Sequence, residues 1–235
     1  MFILLKLCLA HLIADFVLQV DELYQLKVKS VAGHIVHALS HALVTLIVLF
    51  PYLGDPFIWV FALAISTIHL FQDLAKYRLM RYKRYFLHIF LADQALHFLF
   101  LSVILFFPVS SQKLGFPDWP TLNLLYTEDR WTMGAIAFLV TAFCGSFVLH
   151  ALSVTYFKNP RPDHFITTLE MVHGIFERTI IAGIFLLASN PLVFILSPSL
   201  GAIRFLSRRL RSKRDYLLSF MYAGLIGIIF RWMID

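Results

Sequence analysis

Long apolar segments divide this chain of 235 residues, and they restrict its fold more than any other feature. They run approximately from 2 to 20, 31 to 53, 57 to 79, 85 to 107, 131 to 157, 165 to 188, 192 to 206 and 216 to 233. A helix needs roughly 17 to 25 mainly apolar residues to cross a bilayer. The chain is 60% apolar and 14% charged, whereas soluble domains are about half apolar and about a quarter charged. We therefore predict an all-α, polytopic transmembrane helix bundle with about seven or eight membrane segments.

The segments suggest two membrane units separated by one longer connection. Residues 1–110 form a four-helix unit rich in His and Asp, residues 111–130 an external connection, and residues 131–235 a second unit of about four segments. The segment at 192–206 is the weakest, because it is short and the sequence SPSLG at 197–201 interrupts it. This segment is expected either to span the membrane or to form a broken or re-entrant element.

Basic residues cluster in every second connection between the apolar segments. The clusters lie at 27–29, 76–84, 158–161 and 208–214. Positive charge concentrates in cytoplasmic loops of membrane proteins, so these connections are predicted to be cytoplasmic and both termini external. The net charge of +6 is explained by this placement and by contact with lipid head groups, and we predict no nucleic-acid partner.

One pattern of ionisable residues recurs in three of the first four segments. His and Asp are four residues apart in HLIAD (11–15) and HLFQD (69–73), and the order is reversed in DQALH (93–97). The helix with the reversed order is predicted to run in the opposite direction. Each Asp then faces the cytoplasm, with its His one helical turn deeper. Gln19 follows Asp15 by another four residues and is therefore predicted to lie on the same helix face as His11 and Asp15.

The second segment adds His34, His37 and His41 on one helix face. Four helices thus bring imidazoles and carboxylates to similar depths, and these groups are ligands for zinc and other divalent cations. The predicted metal ligands are His11, Asp15, His37, His41, His69, Asp73, Asp93 and His97. Two alternatives remain open: a proton or ion pathway, and a hydrogen-bonded network that only fixes helix packing.

The polar motifs of the first four segments resemble a known family. HLIADFVLQ, HALSHAL, HLFQDLAK and LADQALHFL, in this order, are similar to the bacterial membrane-protein family catalogued as domain of unknown function 3307. The resemblance covers about the first 110 residues and implies a multi-pass protein of the bacterial cytoplasmic (inner) membrane. It assigns no activity. The positions that match are His11, Asp15, Gln19, His37, His41, His69, Asp73, Asp93, Gln94 and His97.

The sixth segment carries a further polar face. Glu170, His173 and Glu177 lie at offsets of zero, three and seven, which places them on one side of a helix. A second metal centre would need another such helix, so Glu177 is equally well interpreted as the partner of a nearby basic residue.

Three functions from different classes fit these features. The first is a metal-dependent hydrolase that acts on a lipid or lipid-linked substrate from the cytoplasmic leaflet, with Asp93 or Glu177 as proton acceptor. The second is a divalent-cation or proton-coupled transporter, and the third a membrane scaffold with a structural His/Asp network. Helices one, three and four contain neither Gly nor Pro in their apolar cores, and this favours a rigid site and therefore the hydrolase.

Overall fold

The computed structural model describes residues 1–79, 85–156, 168–187 and 213–234. Helices joined by short connections make up almost all of these residues, and no strand occurs in the described ranges. The prediction of an all-α helical fold is therefore confirmed.

Contacts divide the chain into two compact units, Met1–Ile136 and Ala137–Asp235. The first unit contains α1 (Phe2–Leu12) with a π-helical turn (Ile13–Val17), α2 (Asp21–Lys29), α3 (Val31–Val48), α4 (Pro56–Leu79), α5 (Phe86–Ser102) and α6 (Pro120–Thr127). Short 3₁₀ helices lie at Phe50–Tyr52, Val103–Phe106 and Pro108–Ser111, and α7 (Asp129–Leu139) crosses the division. The second unit continues with a π-helical turn (Val140–Cys144), α8 (Gly145–Tyr156), α9 (Thr168–Leu187) and α10 (Lys213–Ile234).

Five helical stretches in the described residues are long and apolar enough to cross a membrane, namely Val31–Val48, Pro56–Leu79, Phe86–Phe106, Asp129–Tyr156 and Tyr216–Met233. A sixth arises if Phe2–Val17 and Glu22–Lys29, which are bent by 84°, count as one broken span. The described residues thus give fewer spans than the sequence predicts. The predicted segment at 192–206, the basic cluster at 158–161, and residues 80–84 and 208–212 of the clusters at 76–84 and 208–214 lie outside the described residues.

Polar side chains begin two of the helices in the first unit. The hydroxyl of Ser30 accepts a hydrogen bond from the backbone N–H of Gly33 at the start of α3. Asp55 accepts from the backbone N–H of Phe57 at 2.9 Å, with Pro56 as the first residue of α4. Both arrangements satisfy N–H groups that have no partner inside the helix, so the boundaries follow from local sequence.

An apolar core closes the predicted external end of the first unit. It joins residues of α1, α3, α4 and the end of α5, and its fully buried members include Ile3, Leu7, Leu49, Ile58 and Ile104. Burial of such side chains stabilises a fold by about 1.5–3 kcal/mol each in water. The core therefore holds four helices together on one side of the polar residues described below.

Tyr52 attaches the connection between α5 and α6 to this core. Its hydroxyl donates to the carbonyl oxygen of Gln112 and accepts from the backbone N–H of Leu114, both at 3.0 Å. Burial raises the pKa of Tyr52, against a smaller opposite effect of the Leu114 N–H. The hydroxyl therefore stays protonated and can donate.

Lys6 of α1 is buried, with 3% of its surface exposed. Its ammonium group donates to the carbonyl oxygen of Tyr126 and to the hydroxyl of Thr132. It also lies 4.2 Å from the centre of the Tyr126 ring, a cation–π distance. Lys6 thus fastens the end of α6 and the start of α7 to α1.

The short helix α2 packs closely against the start of α3. A Cβ atom at Gly33 would lie 2.4 Å from the backbone nitrogen of Lys27 and the carbonyl carbon of Leu26. Only glycine permits this approach of two backbones. The approach places the side chain of Lys27 in the interior, where it is 3% exposed.

In the second unit, a buried arginine stabilises the π-helical turn. Arg178 of α9 is fully buried. It donates to the carbonyl oxygen of Thr141 at 2.9 Å and to that of Ala142 at 2.6 Å, and also to the hydroxyl of Ser146. A π-helical turn departs from the regular α-helical hydrogen bonds, and the guanidinium satisfies two of its carbonyl groups.

Candidate metal site

Asp15 lies in the π-helical turn that ends the first helix. The backbone N–H of Leu18 donates to the carbonyl oxygen of Ile13, five residues earlier, at 3.0 Å. Such single π turns occur frequently at functional sites. The helix ends here, so Gln19 does not continue the stripe of His11 and Asp15 as predicted. It accepts a hydrogen bond from Lys27 instead, at 2.9 Å.

Imidazoles from three helices surround the Asp15 carboxylate. Its Oδ1 atom lies 3.0 Å from Nε2 of His37, 3.1 Å from Nε2 of His41 and 3.6 Å from Nε2 of His69. Its Oδ2 atom lies 3.6 Å from Nε2 of His11. Asp15, His37, His41 and His69, which we call the Asp15 group, are all buried and each offers a ligand atom within 4.8 Å of the others.

A second set of histidines adjoins the first. His11, His69 and His97, the three-histidine group, also offer ligand atoms within 4.8 Å of one another. The ring of His69 stacks on that of His41 at 3.7 Å between centroids, and on that of His97 at 4.4 Å. His69 therefore belongs to both sets and lies between them.

The donor set fits a divalent cation. Ligand atoms of a tetrahedral zinc site lie about 3.4 Å apart, because zinc–nitrogen bonds are about 2.0–2.1 Å long. The distances from Asp15 to His37, His41 and His69 bracket this value at 3.0, 3.1 and 3.6 Å. Both ring nitrogens of His69 are buried without a hydrogen-bond partner in the described part of the chain. Buried polar atoms are normally satisfied, so these nitrogens are available to a ligand.

Asp73 and Asp93, which were also predicted as metal ligands, pair with lysines. The Oδ2 atom of Asp73 lies 2.8 Å from Nζ of Lys27 and 2.7 Å from Nδ1 of His34. Lys76 lies between the two carboxylates, 3.3 Å from Oδ1 of Asp73 and 2.8 Å from Oδ2 of Asp93. In the sequence, both lysines belong to the basic connections that indicate topology, and His34 was not among the predicted ligands.

Two contacts connect the lysine–carboxylate network to the histidines. The amide nitrogen of Gln94 donates to Oδ2 of Asp15 at 3.3 Å and to Oδ2 of Asp93 at 3.2 Å. The Oδ1 atom of Asp93 lies 3.2 Å from Nε2 of His97. A carboxylate on one ring nitrogen orients an imidazole and leaves the other nitrogen for a ligand. Asp93 is placed for this role with His97.

Among the residues that the structure describes, the charges of the site do not balance. Two ammonium groups face three carboxylates, namely Lys27 and Lys76 against Asp15, Asp73 and Asp93. With neutral imidazoles, one negative charge remains. It resides on Asp15, whose described neighbours are histidines and Gln94. A buried charge without a counter-charge is costly, so this site attracts a cation.

The structure thus brings the eight predicted ligands into one region of the first unit, in two layers. His11, Asp15, His37, His41, His69 and His97 form the histidine layer, and Asp73 and Asp93 the lysine-paired layer. Glu177 and His173 lie on α9 in the second unit, where His173 is exposed. The pairing of Lys27 and Lys76 with these carboxylates was not predicted from the sequence, because basic residues next to an apolar segment are expected at the membrane surface.

Fold and site together define a helical protein of membrane type with a buried His/Asp cluster in its first unit. Residues 3–121, about half of the chain, match the family described as "Protein of unknown function (DUF3307)". The chain belongs to this family, as the motifs of its first four segments indicated. No curated protein and no solved structure matches the chain.

Proposed function

We propose that this protein binds a divalent metal ion, zinc by ligand type, inside the membrane. One observation carries the proposal: the π-helical turn after α1, together with α3 and α4, directs an Asp and three His ligand atoms to within 4.8 Å of one another, while both ring nitrogens of His69 have no described partner. A dication at this position would also compensate the unbalanced charge of Asp15. Imidazole and carboxylate are the ligands expected for zinc.

We further propose that the metal serves a hydrolase acting on a lipid or lipid-linked substrate. A bound divalent ion would supply Lewis acidity and lower the pKa of a coordinated water. Asp93 supports this function because it contacts His97 at 3.2 Å and can hold a proton close to the histidines. Lys76, at 2.8 Å from the other oxygen, fixes this carboxylate in position. Glu177 remains a second predicted proton acceptor, in the other unit.

Transport of a divalent cation is the second candidate, and the size of the cavity favours it. The cavity beside His11, His41, His69 and His97 has a volume of about 10 Å³, enough for about one water molecule. A metal ion fits there, whereas a lipid head group would enter only after the helices separate. Binding of a cation therefore requires a smaller rearrangement of the first unit than entry of a lipid head group does.

The proposal also includes the membrane in which the protein lies and the side of the membrane that the site faces. We place the chain in the bacterial cytoplasmic membrane as a multi-pass protein with about seven or eight segments, and we propose that α9 is one of those beyond the described spans. The lysine-paired layer then faces the cytoplasm, as the basic connections indicate. Membrane lipids are the expected neighbours of the exposed apolar residues on α3 and α4, such as Leu39, Leu43, Ile47, Val60 and Leu63.

Elemental analysis of the detergent-purified protein tests metal binding. We expect about one equivalent of zinc, which His69→Ala removes and the control His88→Ala retains, since His88 is exposed on the same helix as His97. A ligand that binds only the folded state stabilises it, so a chelator should lower the melting temperature of the wild type and of His88→Ala. If the wild type is purified without metal and neither zinc nor chelator changes its melting temperature, the His/Asp cluster is a packing network and the metal proposal is wrong.

Reconstituted liposomes separate the two candidate functions. Under the hydrolase proposal, the protein does not carry zinc or manganese into the lumen, and Asp93→Asn abolishes turnover of a lipid-linked substrate while metal content is retained. Protein-dependent uptake of either ion, lost in Asp93→Asn, would reject hydrolysis in favour of transport.

A further inference from the structure

We infer that the site offers a single divalent cation two adjoining positions that share His69, and that only one of them leaves room for a water ligand. The inference rests on the metal binding proposed above, and it specifies at which of the two positions a bound ion can hold a water ligand. The first position is the Asp15 group, and the second is the three-histidine group. The sequence pattern alone treated all these residues as one set.

The Asp15 group is a closed position. It supplies four ligand atoms from the protein, one from each of Asp15, His37, His41 and His69. Four protein ligands complete a tetrahedral coordination sphere, as structural zinc sites do. An ion held there has no remaining place for water.

The three-histidine group is an open position. Three protein ligands leave a fourth place, which is the arrangement of catalytic zinc sites. The cavity of about 10 Å³ borders all three histidines of this group, together with His41, and neither Asp15 nor His37 lines it. The empty space therefore lies beside the group that lacks a fourth ligand, and its volume matches one water molecule.

His69 is the residue that both positions require. It is 2% exposed, and both its ring nitrogens lack a described partner. Its ring lies between those of His41 and His97, at 3.7 and 4.4 Å between centroids. The charge of the site argues for one ion at a time, because the surroundings carry a single uncompensated negative charge. An ion can thus pass from the closed to the open position while it keeps His69 as a ligand.

Cobalt(II) provides a paramagnetic probe for both positions. Metal-free protein is loaded with one equivalent of Co²⁺, its affinity is measured by competition with a chelator, and its electron paramagnetic resonance signal is recorded in water enriched in oxygen-17. A coordinated water broadens this signal. The variants are His37→Ala, which damages only the closed position, His97→Gln, which damages only the open one, and His69→Ala, which damages both. His88→Ala is the control, and gel filtration checks that each variant remains folded.

We expect His37→Ala and His97→Gln each to keep one Co²⁺, with an affinity lowered by about tenfold or more. Loss of a residue that only contacts a metal ligand already lowers metal affinity by about 10- to 100-fold. His37→Ala should show the oxygen-17 broadening, and His97→Gln should lose it. His69→Ala should bind no Co²⁺. If His97→Gln matches the wild type in affinity and broadening, or His37→Ala binds no Co²⁺ although folded, the open position does not exist. A folded wild type that binds no Co²⁺ would instead contradict the metal proposal itself.

Discussion

The ammonium group of Lys76 lies 2.8 Å from Oδ2 of the buried Asp93 and so joins α4 to α5 by a partly buried ion pair. This pair changes the interpretation of a carboxylate that the sequence presents as a metal ligand or base. One oxygen contacts Lys76 and Gln94, and the other faces His97 directly. Asp93 therefore joins the ion-pair network to the candidate metal site.

Removal of the lysine should destabilise the first unit strongly. In Lys76→Met, Asp93 loses its ion-pair partner and Asp73 loses one of two lysines. A buried charge left without its partner costs up to about 3–5 kcal/mol. Asp93 is buried and Lys76 is partly exposed, so we expect a loss near the lower end of this range in the free energy of unfolding, measured by circular dichroism in mixed micelles. Lys29→Met, on the exposed side of α2, should change it little. The double variant Lys76→Met, Asp93→Asn should recover part of the loss, and no recovery would show that the ion pair is not the cause.

Substitution of Gly33 should displace α2. A Cβ atom there would lie 2.4 Å from the backbone of both Leu26 and Lys27, and a backbone cannot rotate away as a side chain can. We expect Gly33→Ala to cost about 1–3 kcal/mol, as overpacking typically does. It should also expose Lys27 to amine-reactive reagents, detected by mass spectrometry of the labelled peptide. Gly54→Ala is the matched control, since no atom lies within 4 Å of a Cβ at that position. Equal stability of the two variants would contradict the close approach.

Arg178 should be essential for the second unit. Arg178→Met removes the donors to the carbonyl groups of Thr141 and Ala142. A buried polar group left without a partner costs about 1–3 kcal/mol, and this cost applies to each carbonyl. We expect a lower melting temperature and faster amide hydrogen exchange in 140–146, measured by mass spectrometry. Ser146→Ala, which removes one acceptor and leaves both carbonyl contacts, should have a smaller effect. Unchanged exchange in Arg178→Met would exclude the proposed support of the π turn.

Labelling of single cysteines tests the orientation of the site. In a background with Cys8 and Cys144 replaced by Ala, a cysteine at Lys29 should react with an impermeant maleimide only from the cytoplasmic side. A cysteine at Gly54, in the connection between α3 and α4, should react only from outside. These outcomes follow from the distribution of basic residues. Reaction of the Lys29 position from outside would invert the topology and place the lysine-paired layer on the external face.

The helices and the family could be predicted from the sequence because both depend on local patterns. Apolar length and period determine where a membrane helix forms, and the apolar segments near α3, α4 and α5 were recognised this way. The repeated spacing of His and Asp likewise predicted that polar groups meet in the first unit. The short helices α2 and α6 were not predicted, since neither has the apolar length of a span.

Only the tertiary structure decided which polar groups pair. Lys27 and Asp73 are 46 positions apart in the chain and Lys76 and Asp93 are 17 apart, and their contacts depend on how α2, α4 and α5 are rotated and packed. The π turn at Asp15 ended the first helix before Gln19, a change that no α-helical spacing anticipates. Asp15 therefore lies among histidines, while Gln19 accepts a hydrogen bond from Lys27. Residue type determined that charges would be buried together, and helix packing determined which of them lysine neutralises and which one is left for a cation.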